Sequence, residues 1–425
     1  MLKKLFQNQV FRITSLNSVS VLIRILTGLV STSVVAKLLG PTGVALLGNF
    51  RNFITSLETV AMLGFNNGIV KYVAEHHKDE KQLSQIISTV FFTLLGTTLL
   101  IALLLFGFSG SLNHWIFGSE YDFAIVFRVT ALTLPLFALN VFLISIINGL
   151  SAFKKVIYLN IIGNLTGFTL SVVMIVYYQI TGALLAMAIT PALLFAISWF
   201  WVSRSLQISQ YINTNQIRFR VIKDLSAYSV MAFVSAFLLP LIYLKIRTNA
   251  FVEIGIENAG NWEAINRLSS FYMMFISTLL SVYFFPKLSQ ATSVVETRKV
   301  IGDYYKNVIP MFLAGGLLLY FCRGILISLI YSDKFLVLSD LFMYQLLGDF
   351  FKVCSLILGY QFFAKRMTSA YILTEVFSIS LLYFLSNYYL QTLGVEGLVF
   401  AHFITYLIYF FVLLITFRKL IFSGK

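Results

Sequence analysis

Six basic residues, Arg24, Arg51, Arg128, Arg267, Arg323 and Lys352, lie inside long hydrophobic stretches where a lipid-facing chain would carry none. A charge at mid-bilayer costs roughly 2.5 to 3.5 kcal/mol on insertion scales, so such residues belong on wet interior faces. Their polar neighbours recur at helical spacing. Asn17, Ser20, Arg24, Thr27 and Ser31 fall on one stripe, as do Gly48, Arg51, Thr55 and Glu58, and again Glu263, Arg267, Ser270, Ser277 and Ser281. Arginine dominates these stripes, and its planar fork matches phosphate oxygens two at a time while staying charged at any physiological pH. The expected ligand is anionic and phosphate-bearing, bound by Arg24, Arg51 and Arg267 with Asn17, Thr27, Thr55 and Ser270 beside them. Arg323, nearer the end of its stretch, is a further candidate. The same hydroxyl stripes would also serve as glue between helices, with Glu58 neutralising Arg51 two turns away.

Buried carboxylates suit a coupling ion, H+ or Na+. The candidates are Glu58, Asp349 with Lys352, and Glu375. Asp349 and Lys352 are spaced to pair with each other, whereas Glu375, on a face with Tyr371 and Ser378, has no cation one turn away and is preferred. No catalytic residue, metal site or cofactor is expected. The chain has no phosphate-binding glycine loop and no HExxH motif, His76 and His77 lie among loop charges, and Cys322 and Cys354 lie in apolar runs. An ATP-driven pump and an enzyme are disfavoured.

These residues must be positioned by spanning helices. The chain has 425 residues, 59% hydrophobic and 11% charged, with a mean hydropathy of +0.87, against about 25% charged in a soluble domain. Twelve stretches are long enough to cross a bilayer: 13–36, 42–70, 86–109, 123–149, 156–179, 182–202, 225–247, 260–286, 305–330, 340–363, 369–390 and 394–417. Lysines and arginines outside them fall 21 on the side of the termini and four (Lys37, Lys245, Arg247, Lys334) on the other, which places both termini in the cytoplasm. The net charge of +14 then faces anionic lipid, not nucleic acid. Lys3, Lys4 and Arg12 precede a first span too long for a cleaved signal.

The expected fold is an all-α polytopic membrane protein. It has an N-terminal six-helix lobe at 1–203, a cytoplasmic amphipathic linker at 204–224 and a C-terminal six-helix lobe at 225–425, related by a pseudo-twofold axis along the membrane normal. An internal repeat agrees: Arg51 and Lys71 recur 216 residues on as Arg267 and Lys287, and the turn Phe117-Gly118-Ser119-Glu120-Tyr121 is echoed by Tyr331-Ser332-Asp333-Lys334-Phe335. Two such lobes around a cationic cavity are transporter architecture.

The stretches Gly40-Pro41 through Gly48-Asn49-Phe50-Arg51 and Gly68-Ile69-Val70-Lys71-Tyr72-Val73-Ala74 resemble the N-terminal signature of Wzx-type polysaccharide flippases, within the multidrug/oligosaccharidyl-lipid/polysaccharide exporter superfamily. Tyr283-Phe284-Phe285-Pro286-Lys287-Leu288-Ser289, Tyr344-Gln345-Leu346-Leu347-Gly348-Asp349-Phe350-Phe351-Lys352-Val353 and Ile372-Leu373-Thr374-Glu375-Val376 continue the likeness in register. The resemblance implies alternating access that moves an undecaprenyl-diphosphate-linked oligosaccharide, of O-antigen or lipid III type, from the cytoplasmic to the periplasmic leaflet of a bacterial inner membrane. Arginines would take the diphosphate, Ser, Thr and Asn the sugar hydroxyls, and glycan polymerase machinery would be a partner. The chain departs from related peptidoglycan-precursor flippases in having twelve expected spans rather than fourteen. The alternative is a cation-coupled exporter of drugs or metabolites of the same superfamily, which would favour cavity carboxylates over cations. A polymerase or ligase would need a larger external loop than 248–259.

Overall fold

A computed structural model describes residues 9–206 and 208–422, and all regular structure among them is helical. The N-terminal half contains α1 (Gln9–Ala61), α2 (Asn66–His76), α3 (Glu80–Gly107), α4 (Ser109–Phe117), α5 (Ala124–Gly149) and α6 (Phe153–Leu206). Two short 3-10 turns, Ile208–Tyr211 and Thr214–Gln216, lead to α7 (Phe219–Ile254). Then follow α8 (Ile256–Leu279), a π turn (Leu280–Phe284), α9 (Phe285–Gln290), α10 (Val294–Phe321), α11 (Arg323–Ile330), α12 (Leu338–Ala364), α13 (Thr368–Thr416) and α14 (Arg418–Phe422).

Seven described helical stretches are long and apolar enough to cross a membrane, or eight if α10 and α11, bent by 71° at Cys322, are one span. This is an integral membrane protein. Two of these stretches have 49 residues each, about twice what a bilayer takes up at 1.5 Å per residue. Each folds back at one residue with positive φ, Gln179 in α6 and Gly394 in α13. The reversal is tight: a methyl group at Gly182 would come within 1.9 Å of the Met174 carbonyl oxygen, and one at Gly397 within 2.1 Å of that of Tyr389. Gly40 breaks α1 in the same way ahead of Pro41.

The expected external loop 248–259 is absent. α7 runs to Ile254, only Gly255 (φ 81°) separates it from α8, and Lys245 and Arg247 are therefore helical residues and not loop cations. Hydropathy ended the span at its first charges, but Arg247 is buried, at 1% exposure.

The left-handed positions are periodic. Gly40 and Gly255, Ser151 and Arg366, and Gln179 and Gly394 are each 215 residues apart. Ser151 and Arg366 end α5 and α12 with the same paired bonds, Ala152 N–H to Ile147 O and Ser151 N–H to Asn148 O in one, Met367 to Phe362 and Arg366 to Phe363 in the other. The spacing extends to a buried tie. In one half the Asn49 amide donates to Ile116 O over 2.8 Å. In the other, Tyr331 OH donates to Ala264 O over 2.8 Å, joining the positions 215 further on with the donor moved across.

Contacts divide the chain into two compact units, residues 1–38 with 49–241 and residues 39–48 with 242–425. The first has a core of Phe142, Ile146, Ile147, Ile87 and Leu94 between α3 and α5 and a knot of Phe50, Phe53, Phe117 and Phe127 rings. The second is tied by Tyr304 OH to Val353 O (2.8 Å) and by Phe362 against Phe417. At the start of α10, Ser293 and Glu296 form a reciprocal cap. The Thr292 and Ser293 N–H groups hold the Glu296 carboxyl below its usual range. That cap is complete above the ordinary carboxylate range and is lost as pH falls through the depressed value.

Gln179 (φ 52°, ψ −132°) holds a conformation that its counterpart Gly394 (φ 62°, ψ −136°) adopts freely and that costs other residues about 1 to 3 kcal/mol. Gln179→Gly should raise, and Gly394→Gln lower, the apparent melting temperature of the purified protein, read by tryptophan fluorescence; equal shifts of one sign would contradict this.

Candidate functional site

In the first unit, Arg24 is exposed on α1, Arg51 is half-buried ten residues beyond Pro41, and Glu58 lies one helical face along from it. The side chain of Asn17 lies outside the described residues. The hydroxyls on these stripes turn back onto their own helix: Thr27 donates to Ile23 O (2.7 Å) and Thr55 to Arg51 O (2.9 Å). Such bonds satisfy the donor and leave the oxygen able to accept. Glu58 lines a narrow crevice with Thr130, Thr133, Leu134, Phe137 and Met187.

In the second unit, Arg267 is half-buried on α8, its guanidinium 5.0 Å from the centre of the Phe271 ring, and Ser270 donates to the Arg267 carbonyl (2.6 Å). Arg323 serves the bend between α10 and α11: its Nε donates to Ser339 Oγ (3.0 Å), its Nη1 to Tyr320 O (2.8 Å), and it covers the Tyr320 ring.

The densest polar chemistry gathers around Asp349, fully buried on α12. One carboxylate oxygen accepts from Ser269 Oγ (2.6 Å) and Tyr272 OH on α8 and from Gln345 Nε2 (3.2 Å) one turn earlier. The other accepts from His402 Nε2 (3.0 Å) on α13. With Nε2 as donor, a neutral His402 carries its lone pair on Nδ1, which has no hydrogen-bond partner in the protein. Gly348 makes the approach possible, since a methyl group there would sit 2.3 Å from the His402 ring. The pairing of Asp349 with Lys352 expected from their spacing is not formed: four donors from three helices occupy the carboxylate, and Lys352 instead lies 4.9 Å above the Tyr406 ring.

A second buried cluster adjoins it. Arg247 on α7 pairs with Glu263 on α8, beneath Trp262 (5.4 Å), which stacks on Tyr243. Gly48 leaves room for this pair, because a methyl group there would come within 2.7 Å of the Glu263 side chain. Tyr243 lies within electrostatic range of Tyr406, Lys352, Asp349 and Arg247, and Glu375 within range of Tyr406 and Tyr409. Ionisable side chains from Glu263 to Glu375 thus form one continuous interior array.

Sequence reasoning found Asp349, Lys352 and Glu375 in this array but missed His402, Gln345, Ser269, Tyr272, Tyr243 and the Arg247–Glu263 pair. One signal was available for His402, a lone imidazole inside the apolar run 394–417. No local pattern announces the others, whose partners are 16 to 80 residues away.

The two units place different chemistry at matching positions. Subtracting 215 from Ser269, Tyr272, Gln345, Asp349, Lys352, His402 and Tyr406 gives Ile54, Leu57, Thr130, Leu134, Phe137, Met187 and Pro191, and every one of these lines the crevice at Glu58.

Comparison with known proteins agrees with this architecture. The model of a family described as polysaccharide biosynthesis protein matches residues 10–292. Lipid III flippases of Escherichia coli (strain K12) and Shigella flexneri are each 29% identical over 392 residues, covering 92% of this chain and 94% of the relative. Among solved structures, an inward-facing multidrug resistance MATE family transporter of the MOP superfamily superposes with a TM-score of 0.74 at 14% identity, covering 93% of this chain and 95% of the other. The lipid II flippase MurJ in its inward closed conformation gives 0.71 at 14% identity, covering 95% and 87%. The fold is theirs.

Removing one partner of a buried ion pair strands the other charge, at about 3 to 5 kcal/mol, whereas replacing both with apolar groups is often near neutral. Arg247→Met and Glu263→Leu should each strongly lower the melting temperature, and the double variant should recover most of the loss; additive effects would show that the pair is not coupled.

Proposed function

Because the chain belongs to the polysaccharide biosynthesis protein family, we propose that it flips an undecaprenyl-diphosphate-linked oligosaccharide across a bacterial inner membrane. The match to lipid III flippases over nearly the whole chain carries this reading. Splitting α1 at Gly40, α6 at Gln179 and α13 at Gly394, and counting α7 and the bent pair α10 and α11 once each, supports twelve crossings. The 215-residue recurrence of the breaks supports two six-helix lobes about an axis along the membrane normal. With the basic connections inside, both termini face the cytoplasm.

In this reading the lobes enclose a cationic cavity. Arg51 on α1 and Arg267 on α8, one repeat apart, clasp the diphosphate as it arrives from the cytoplasmic leaflet, and Arg24 stabilises it further in. Thr27, Thr55, Ser270 and Asn17 accept and donate to sugar hydroxyls, and the prenyl tail stays in lipid. The diphosphate shifts the lobes only through its different affinity for the two states, so net export draws on an ion gradient.

The ion that suits the Asp349 site is H+. A Na+ ion needs a cage of about six oxygen acceptors, but Asp349 is ringed by donors, and the imidazole on its second oxygen takes a proton directly. Lys352, Tyr243, Tyr406 and Glu375 face the same pair and set its balance of charge. Glu58 is the corresponding carboxylate of the other lobe.

Two measurements test these readings. In a strain lacking its own flippase, the wild-type chain should restore surface glycan. Arg51→Ala and Arg267→Ala should lower export roughly tenfold or more at equal expression, as expected for losing a charged hydrogen bond worth about 1.5 to 3 kcal/mol. Full export by both variants sinks the arginine assignment, and drug efflux without glycan would favour the exporter. In proteoliposomes, His402→Gln and Asp349→Asn should abolish the response of flipping to an imposed pH gradient. A wild-type response to Na+ alone would refute the proton assignment.

A further inference from the structure

The first unit has a cavity of about 370 Å³ away from its arginine stripes, lined by Tyr72, His76, Gln82, Gln85, Arg218 and Arg220 over a floor of Ile86 and Val221. No carboxylate lines it. The two nearest acids are engaged elsewhere: Asp79 accepts from the Gln82 N–H to cap α3, and Glu75 pairs with Lys71 at 3.5 Å.

The walls are fixed by the chain itself. Three hydroxyls on α3 fasten the segment that carries the arginines: Ser84 and Ser88 both donate to Tyr211 O (2.9 and 2.6 Å), Ser88 accepts from the Asn213 N–H, and Thr89 accepts from the Arg218 N–H (2.9 Å). Arg218 Nη1 donates back to Asn215 O and Ile217 O, which leaves its Nε and Nη2 as outward donors. Opposite, His76 Nδ1 donates to Tyr72 O (3.0 Å), so Nε2 is its exchangeable nitrogen, and its ring stacks on Tyr72. Two guanidinium groups, an imidazole, a phenol and two amides converge on a small apolar floor, a donor-rich lining that selects an anion with ester or glycerol carbons.

We propose that this cavity is a binding site for a phosphate ester, distinct from the cargo path. Its size suits one headgroup, and basic pockets between helices at a membrane face commonly hold acidic lipid headgroups. A free phosphate ester presents the same chemistry.

The test uses purified full-length protein in neutral detergent, with the melting temperature followed during separate titrations with phosphatidylglycerol, phosphatidylcholine and glycerol 3-phosphate. Phosphatidylglycerol should stabilise at concentrations at which phosphatidylcholine does nothing. Arg218→Gln combined with Arg220→Gln should weaken that effect roughly tenfold or more, two near-surface cations being lost. Gln85→Trp, which fills the cavity with both arginines in place, should do the same, whereas Lys154→Gln with Lys155→Gln should not. If glycerol 3-phosphate matches the lipid, the ligand is a soluble ester; if only the lipid acts, it is a headgroup. Unchanged phosphatidylglycerol binding in both pocket variants, or an equal loss in the Lys154 and Lys155 control, would overturn the site.

Discussion

A bilayer supplies no hydrogen-bond partner, and most of this structure follows from that one constraint. Backbone groups are satisfied inside helices, stripe hydroxyls fold onto their own carbonyls as at Thr27 and Thr55, and interior charges are surrounded by donors or opposite charges. Arg247 is buried with Glu263, and Asp349 is buried with four donors. In water each of these groups would be cheap to leave alone. In lipid each determines which helices lie against one another, because an unmatched charge would cost several kcal/mol.

The same constraint limits where the chain can turn. A helix that reverses inside or at the edge of lipid must break within one residue, which a left-handed residue can do, and the positions of those residues recur at 215. Identity is less strictly held than conformation. Gly394 is matched by Gln179, and the Schellman-type ends fall on Ser151 and Arg366, none of them glycine except the first. What persists between the halves is the backbone angle and the hydrogen-bond pair around it. The tie between residues 49 and 116 and that between 264 and 331 survive an exchange of donor for acceptor.

Much of the fold was therefore legible in the sequence, through apolar length, the asymmetry of Lys and Arg, and the Arg51–Lys71 echo in Arg267–Lys287. The failure at Arg247 has a definite physical cause. Hydropathy treats a charge as the end of a span, yet a buried partner 16 residues later, across a one-residue break at Gly255, neutralises it. Asp349 was visible as an intramembrane acid, but its spacing to Lys352 pointed to the wrong partner. Helical periodicity reports only neighbours on the same helix, whereas His402, Ser269 and Tyr272 arrive from two others. Gly348 carried a usable clue: the glycine beside the acid marks where an imidazole lies flat against α12.

Duplication accounts for the scaffold and leaves the chemistry free to diverge. At the seven positions around Asp349, the first half substitutes Ile54, Leu57, Thr130, Leu134, Phe137, Met187 and Pro191, so six of the seven polar side chains become apolar and only a threonine hydroxyl remains. Glu58 is the one acid left in that crevice, and it enters from the residue position next to Leu57 rather than from the α5 position that matches Asp349. A carboxylate surrounded by donors is held charged, whereas one facing mainly hydrocarbon favours its protonated form. Two halves with the same backbone would then bind and release protons under different conditions. That difference gives a pair of repeats a direction, which identical halves could not have.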